Sequence, residues 1–144
     1  MNKAMCESKK SHCLKHRVGA VLVKNGEVVC SAFNKVVDGM DECEVVGCRR
    51  VKLHLSNGER AEECRGMHAE QVLLIRCLVE GIDIKEGVIY CTHSPCAICA
   101  RLIAAARVKR VVFASVRKER QYEQIFKDAG VEYRQIEFEE VNNA

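Results

Sequence analysis

Proline occurs only once in this sequence, and no internal repeat or low-complexity tract is present, so a proline-rich or repetitive linker is excluded. Also missing is any apolar run near the roughly 20 residues that a membrane-spanning helix needs. The opening MNKAMCESKK lacks the apolar core of a secretory signal, and a cytoplasmic location is expected. Nor does one sign of charge dominate. Lys and Arg number 23 against 20 Asp and Glu, for a net +3. That balance argues against nucleic acid as a partner while leaving room for a local anionic pocket. The chain is 144 residues long with 48% hydrophobic and 30% charged residues. This suits one folded domain over 1–144 with a sizeable core.

Cysteine, by contrast, is abundant, at ten residues. In the absence of a secretory signal a disulfide framework is not expected, because the cytosol keeps thiols reduced. Cys6, Cys30, Cys77 and Cys91 stand in or beside apolar runs and read as small buried hydrophobes. Cys13, Cys43, Cys48, Cys64, Cys96 and Cys99 remain, and spaced cysteines of this kind point to metal.

Periodicity supplies the elements. VGAVLVK (18–24) and EVVCSAF (27–33) read as strands around Asn25-Gly26, a strong hairpin signal. Residues 1–17 suggest a polar, weakly amphipathic helix. HAEQVLLIRCLVE (68–80) is apolar almost all round and stops at Gly81, which predicts a buried helix. A strand at 87–92, a helix at 94–106, a strand at 110–115, a helix at 119–130 and a strand at 131–138 follow. Such alternation implies parallel crossovers, hence a mixed five-stranded sheet with helices against its faces. Residues 34–66 fit no element. A loop of about thirty residues is long unless something orders it, and thiolates from Cys43, Cys48 and Cys64 gripping a metal could do so.

Two short motifs carry chemistry. In SPCAIC (94–99), Ser94 can cap a helix, Pro95 suits its first position, and Cys96 and Cys99 share one face of the first turn. A helix N-terminus favours thiolate, the form that binds metal. Alone, CxxC could equally be a redox pair. The second motif is HAE, with His68 and Glu70 two apart. Within a helix such residues diverge, but at a helix N-terminus they can share a site, with the Ala69 N–H free between them. One imidazole and two thiolates leave a tetrahedral zinc with an open position, and a carboxyl beside that opening can relay protons. A redox protein built on Cys96 and Cys99 leaves HAE unexplained.

Together, HAE (68–70) and PCAIC (95–99) match the H-x-E…P-C-x-x-C signature of zinc nucleobase deaminases. More closely, the chain resembles the deoxycytidylate (dCMP) deaminases. The likeness runs from CLKHRVGAVLVKNGEVV (13–29), through ECEVVGC (42–48) and ECRGMHAEQ (63–71), to IYCTHSPCAICARLIAAARVKRVVF (89–113). The resemblance implies an α/β fold, a three-layer α/β/α cytidine-deaminase-like arrangement. It implies that His68, Cys96 and Cys99 hold a catalytic Zn2+, and that Glu70 moves protons from the attacking water to ring N3 and to the departing amine. It further implies that Ala69 N–H meets the base carbonyl, that backbone carbonyls near Thr92 and Ser94 meet the amino group, and that Asn34 contacts the sugar. Cys43, Cys48 and Cys64 match the ligands of a second, structural zinc in some members, with Cys13 favoured over His54 as the fourth.

The implied reaction is hydrolytic deamination of dCMP to dUMP, in a homo-oligomer (dimer or hexamer) open to deoxynucleoside triphosphate effectors. The sequence departs from the family at Val72, around Asn34 in AFNKVVDG, and in ASVRKER (114–120). These leave other cytosine nucleosides or nucleotides, or tRNA adenosine, as alternative substrates. The acidic ending IEFEEVNNA argues against the tRNA. A zinc-binding module without catalysis is the further alternative, and the presence of Glu70 argues against it. Arg17 and Arg117 are candidate phosphate contacts, with solvated surface charge as the plainer reading of each.

Overall fold

The structure, a computed structural model, describes residues 1–138. Part of the acidic ending therefore lies outside the described residues. Strands β1 (Gly19–Lys24) and β2 (Glu27–Phe33) form the expected hairpin. Both turn residues take positive φ, Asn25 at 52° and Gly26 at 80°, which is the type I′ geometry that the Asn-Gly pair favours. Two short strands, β3 (Lys35–Val36) and β4 (Gly66–Met67), pair with each other as a separate ribbon. Then come β5 (Val88–His93), β6 (Arg110–Ser115) and β7 (Glu132–Gln135). The main sheet runs β2-β1-β5-β6-β7, antiparallel through β1 and parallel from β5 to β7. The mixed five-stranded sheet expected from the sequence is present.

Among the described residues six α-helices accompany the sheet: α1 (Asn2–Ser8), α2 (Cys43–Val46), α3 (Arg49–Lys52), α4 (Ala69–Glu80), α5 (Ala97–Ala105) and α6 (Tyr122–Ala129). Alternation along β1 separates two layers of them. Ala20 and Leu22 join Leu73 of α4, Ile103 of α5 and Phe126 of α6 in one buried cluster. Gly19, of opposite parity, faces α1. The result is three layers. Among the described residues no helix is long and apolar enough to cross a membrane.

Several boundaries differ from expectation. The first helix ends at Ser8 rather than 17. There the Ser8 hydroxyl turns back to the Met5 carbonyl, and the chain leaves so that Ser11 Oγ can donate to the Asn34 carbonyl. Residues 34–66 are not featureless, since β3, α2, α3 and a 3-10 turn at Ala61–Glu63 fall within them. Each is too short to have shown a period. α4 is not buried all round: Ile75, Leu78 and Val79 are exposed, as is Leu102 of α5. Among the four cysteines read as core, Cys30, Cys77 and Cys91 are buried, but Cys6 is exposed.

Gly19 marks the tightest approach. A Cβ there would stand 2.0 Å from the Ala4 carbonyl oxygen and 2.6 Å from the Ser8 nitrogen. Both are backbone atoms, which cannot swing aside. Gly19→Ala is therefore expected to cost about 3 kcal/mol, the upper range for overpacking, read as a lowered midpoint in denaturant unfolding. An unchanged midpoint would show that α1 does not rest on β1.

Candidate active site

Two helix starts meet at the carboxyl end of β5. The β3–β4 ribbon delivers the chain to His68, which keeps extended backbone (φ −67°, ψ 152°) as the N-cap of α4. Its N–H donates to Gln71 Oε1 at 2.9 Å, a link that fixes the cap. Because His68 stands outside the helix and Glu70 inside its first turn, the two side chains can converge. The second start follows β5. Cys96, not Ser94, is the N-cap of α5, and its sulfur accepts the Cys99 N–H at 3.5 Å. Ser94 was expected to cap. Instead it is fully buried, with its hydroxyl accepting the Arg117 backbone N–H at 2.8 Å. The helix consequently begins later, and both cysteines lie at its dipole's positive end.

His68 Nδ1 stands 3.6 Å from Cys96 Sγ and 3.4 Å from Cys99 Sγ. All three donor atoms lie within 4.8 Å of one another. Zn–S bonds of about 2.3 Å and Zn–N bonds of about 2.0 Å, set tetrahedrally, separate such atoms by about 3.6 Å. The donor set fits zinc. Cys96 is the sulfur that ionises first, held down to about 3 by its hydrogen bond with Cys99 and then by His68. The hydrogen bond to Cys96 and burial push the Cys99 thiol far up. That same partner, Cys96, raises the His68 imidazole.

Glu70 is the decisive residue. It is fully buried, and neither carboxyl oxygen has a hydrogen-bond partner among the described residues. Burial raises its pKa, opposed by His68 and, more weakly, Arg117. A carboxyl desolvated without compensation is costly, so one so placed asks for a cation, a water or a ligand to complete it.

Glu70, His68 and Ala69 line a cavity of about 100 Å3 together with Asn34, Arg117 and the loop thiols Cys13, Cys43, Cys48 and Cys64. Asn34 is already occupied: its Oδ1 accepts the Val18 N–H at 2.8 Å and its Nδ2 donates to the His16 carbonyl at 2.8 Å. It fastens the end of β2 to the 11–18 segment, and each of its polar atoms retains one further bonding position. Ala69 is the first residue of α4, where a backbone N–H has no intrahelical acceptor. Thr92 lies in the sheet, with its Oγ1 accepting the Gly19 N–H at 3.2 Å, and neither it nor Ser94 is among the lining residues.

The four loop cysteines share the cavity wall, and Cys43 is raised by burial first and then by Cys13, Cys48 and Cys64. Even so, His68–Cys96–Cys99 is the only group among the described residues whose donor atoms gather within 4.8 Å. His54 is exposed, outside the cavity lining, with φ at 54°. Arg17 is exposed and 3.6 Å from Glu44. Lys15 and His16 also line the cavity, and nothing in their local pattern marks them.

An imidazole, two sulfurs and a buried carboxyl gather at one edge of a cavity, a set of donors that could hold a metal ion and leave room for a ligand. Over residues 1–115 the chain matches the family described as the cytidine and deoxycytidylate deaminase zinc-binding region, and it belongs to that family. It is 31% identical to deoxycytidylate deaminase of Schizosaccharomyces pombe, over 94% of this chain and 42% of the yeast protein. It is 30% identical to ComE operon protein 2 of Bacillus subtilis, over 92% of this chain and 66% of that one. The chain thus spans less than two thirds of the length of these curated relatives. Its structure superposes on that of dCMP deaminase from cyanophage S-TIM5, solved with dCMP and dUMP, at a TM-score of 0.79 and 27% identity. That match covers 94% of this chain and 92% of the phage chain.

Replacing one donor should open the centre. His68→Ala and Cys99→Ser are each expected to lower the metal content by one zinc per chain, measured by elemental analysis of the purified protein. Unchanged content would remove the triad as the ligand set.

Proposed function

We propose that this chain is a deaminase domain, a zinc-dependent aminohydrolase that converts dCMP to dUMP with release of ammonia. The single observation that carries the reading is Glu70, buried with both oxygens unpartnered beside three zinc-type donors. Zinc held by His68, Cys96 and Cys99 would supply Lewis acidity and bring the pKa of a water toward neutrality. Glu70 does the proton work. Its raised pKa suits a group that must carry a proton as well as surrender one. It accepts the proton of the attacking water, delivers it to ring N3, and passes a second to the amine leaving C4. Cytosine becomes uracil, and no redox partner is required.

The remaining wall orients the base. Ala69 N–H is the donor assigned to the base carbonyl; the family resemblance assigns the amino group to the carbonyls near Thr92 and Ser94, which lie behind the cavity lining, that of Ser94 already accepting from Arg117 Nε. Asn34 has bonding positions left for a sugar hydroxyl. Support for dCMP over other cytosine compounds comes from the curated relatives and from the phage enzyme with its two nucleotides.

A second zinc belongs to the same proposal. Cys13, Cys43, Cys48 and Cys64 line one wall, and a closed four-sulfur site would staple the 34–66 segment over the cavity. Cys13 fits as the fourth ligand better than His54, which is outside the lining. Ten free thiols agree with a reducing, cytoplasmic setting. The exposed Ile75, Leu78, Val79 and Leu102 are a surface suited to a homo-oligomer, a dimer or hexamer. Deoxynucleoside triphosphates remain candidate effectors.

Ammonia release from dCMP, CMP, deoxycytidine and dCTP tests the reaction. Turnover is expected to favour dCMP and to drop by about 10²–10⁴ in Glu70→Ala. A different preferred cytosine compound would refute the substrate, and full activity in the variant would refute the chemistry. Metal analysis should return two zincs per chain in the wild type and one in Cys64→Ser. One zinc with every loop thiol reactive would remove the structural site.

A further inference from the structure

The wall of the Glu70 cavity is basic, yet most of its charge is spent internally. Lys35 pairs with Asp38, Arg49 with Glu63, and Arg50 donates to the carbonyls of Ser56 and Glu59. Arg117 is different. Its backbone N–H donates to Ser94 Oγ at 2.8 Å and its Nε to the Ser94 carbonyl at 2.9 Å. Ser94 is itself fully buried, with its N–H donating to the Ser115 carbonyl at 2.7 Å. One edge of the half-buried guanidinium is therefore fastened to a rigid point between β5 and α5. Its two terminal nitrogens have no partner among the described residues, and it forms no ion pair with a carboxylate there.

A guanidinium held along one edge is an oriented receptor. Its remaining N–H groups form a planar pair that matches two oxygens of one anion, and partial burial strengthens the match. A neutral hydroxyl gains little from such a group. Lys15, also on the cavity lining and outside any ion pair among the described residues, adds positive charge to the same space. On the deaminase reading, on which this inference rests, the anionic part of the ligand is its phosphate.

We propose that Arg117 is a specificity-determining residue: its guanidinium, braced on Ser94, binds the phosphate of a nucleoside monophosphate and so selects nucleotide over nucleoside. The position falls in ASVRKER (114–120), where this chain departs from the family resemblance.

The plain alternative is that Arg117 only clamps Ser94 and thereby the Cys96 loop. The two roles separate by substrate. For zinc-loaded wild type, Arg117→Gln and Arg117→Lys, kcat/KM is measured on dCMP and on deoxycytidine. Arg117→Gln is expected to lower the dCMP-to-deoxycytidine ratio by about 10- to 100-fold, the worth of a hydrogen-bonded charge, chiefly through KM for dCMP. Arg117→Lys, which keeps the charge, is expected to lower it less. Equal losses on both substrates, or an unchanged ratio, would overturn the assignment.

Binding provides a check that needs no variant. By calorimetry the wild type should bind dUMP at least about tenfold more tightly than deoxyuridine, and equal affinities would overturn the proposal. These ligands do not turn over, so the check is independent of the reaction. A wild type inert on dCMP that still prefers dUMP would refute the substrate assignment and leave the phosphate reader standing.

Discussion

A carboxyl group with no partner at the bottom of a cleft is an expense that a fold carries only for a reason. Glu70 has no exposure and no hydrogen bond to either oxygen. Stripping water from a carboxylate without compensation costs several kcal/mol and drives the group toward its neutral form. Three soft or imidazole donors gathered beside it supply the reason, because a cation among them makes the ionised form tolerable. Without that cation, proximity to the Cys96 thiolate would add to the cost. The carboxyl and the metal ligands are therefore one device.

The sheet makes the device possible. β5 lies between antiparallel β1 and parallel β6, so its carboxyl end opens onto the connection that becomes α5. The β3–β4 ribbon brings the start of α4 to the same edge. Each helix donates its first turn, the part with unsatisfied N–H groups and positive dipole. That is why Cys96 at an N-cap can be a thiolate, and why His68 and Glu70, only two apart, serve one site. Packing protects this alignment: Leu73, Ile103 and Phe126 bring α4, α5 and α6 into one buried cluster with residues of β1, β5 and β6.

Much of this was legible before any coordinates. Period-two runs marked the strands, Asn25-Gly26 marked the hairpin, and the HAE and PCAIC motifs pointed to the three donors, His68, Cys96 and Cys99, that the fold brings together. What escaped follows from physics that operates over distance. The first helix was overextended because Ser11 and Cys13 answer to Asn34 and the cavity wall, not to local propensity. Ser94 looked like a cap because serine caps well, but a contact 23 residues away claimed its hydroxyl. Asn34 shows the same limit in reverse. Its motif suggested a ligand contact, and the structure gives its side chain a fastening role that no spacing could reveal.

The segment over the cavity obeys a different logic from the core. Residues 34–66 hold few buried apolar side chains, with Val36 and Cys43 the buried ones, so hydrophobic burial does little to order them. Ion pairs such as Arg49–Glu63 stand near the surface, where solvent screening leaves them little worth. Cysteines are the remaining resource, and four of them stand on this wall. A segment ordered by side-chain chemistry rather than by a core can change its residues without disturbing the sheet. Of the departures from the family resemblance, those around Asn34 and at 114–120 lie off the two helix starts that present the donors and Glu70, while Val72 lies on α4 itself. On the deaminase reading, the chemistry would rest on the two helix starts that packing fixes, and the proposed phosphate contact on a loop beyond them.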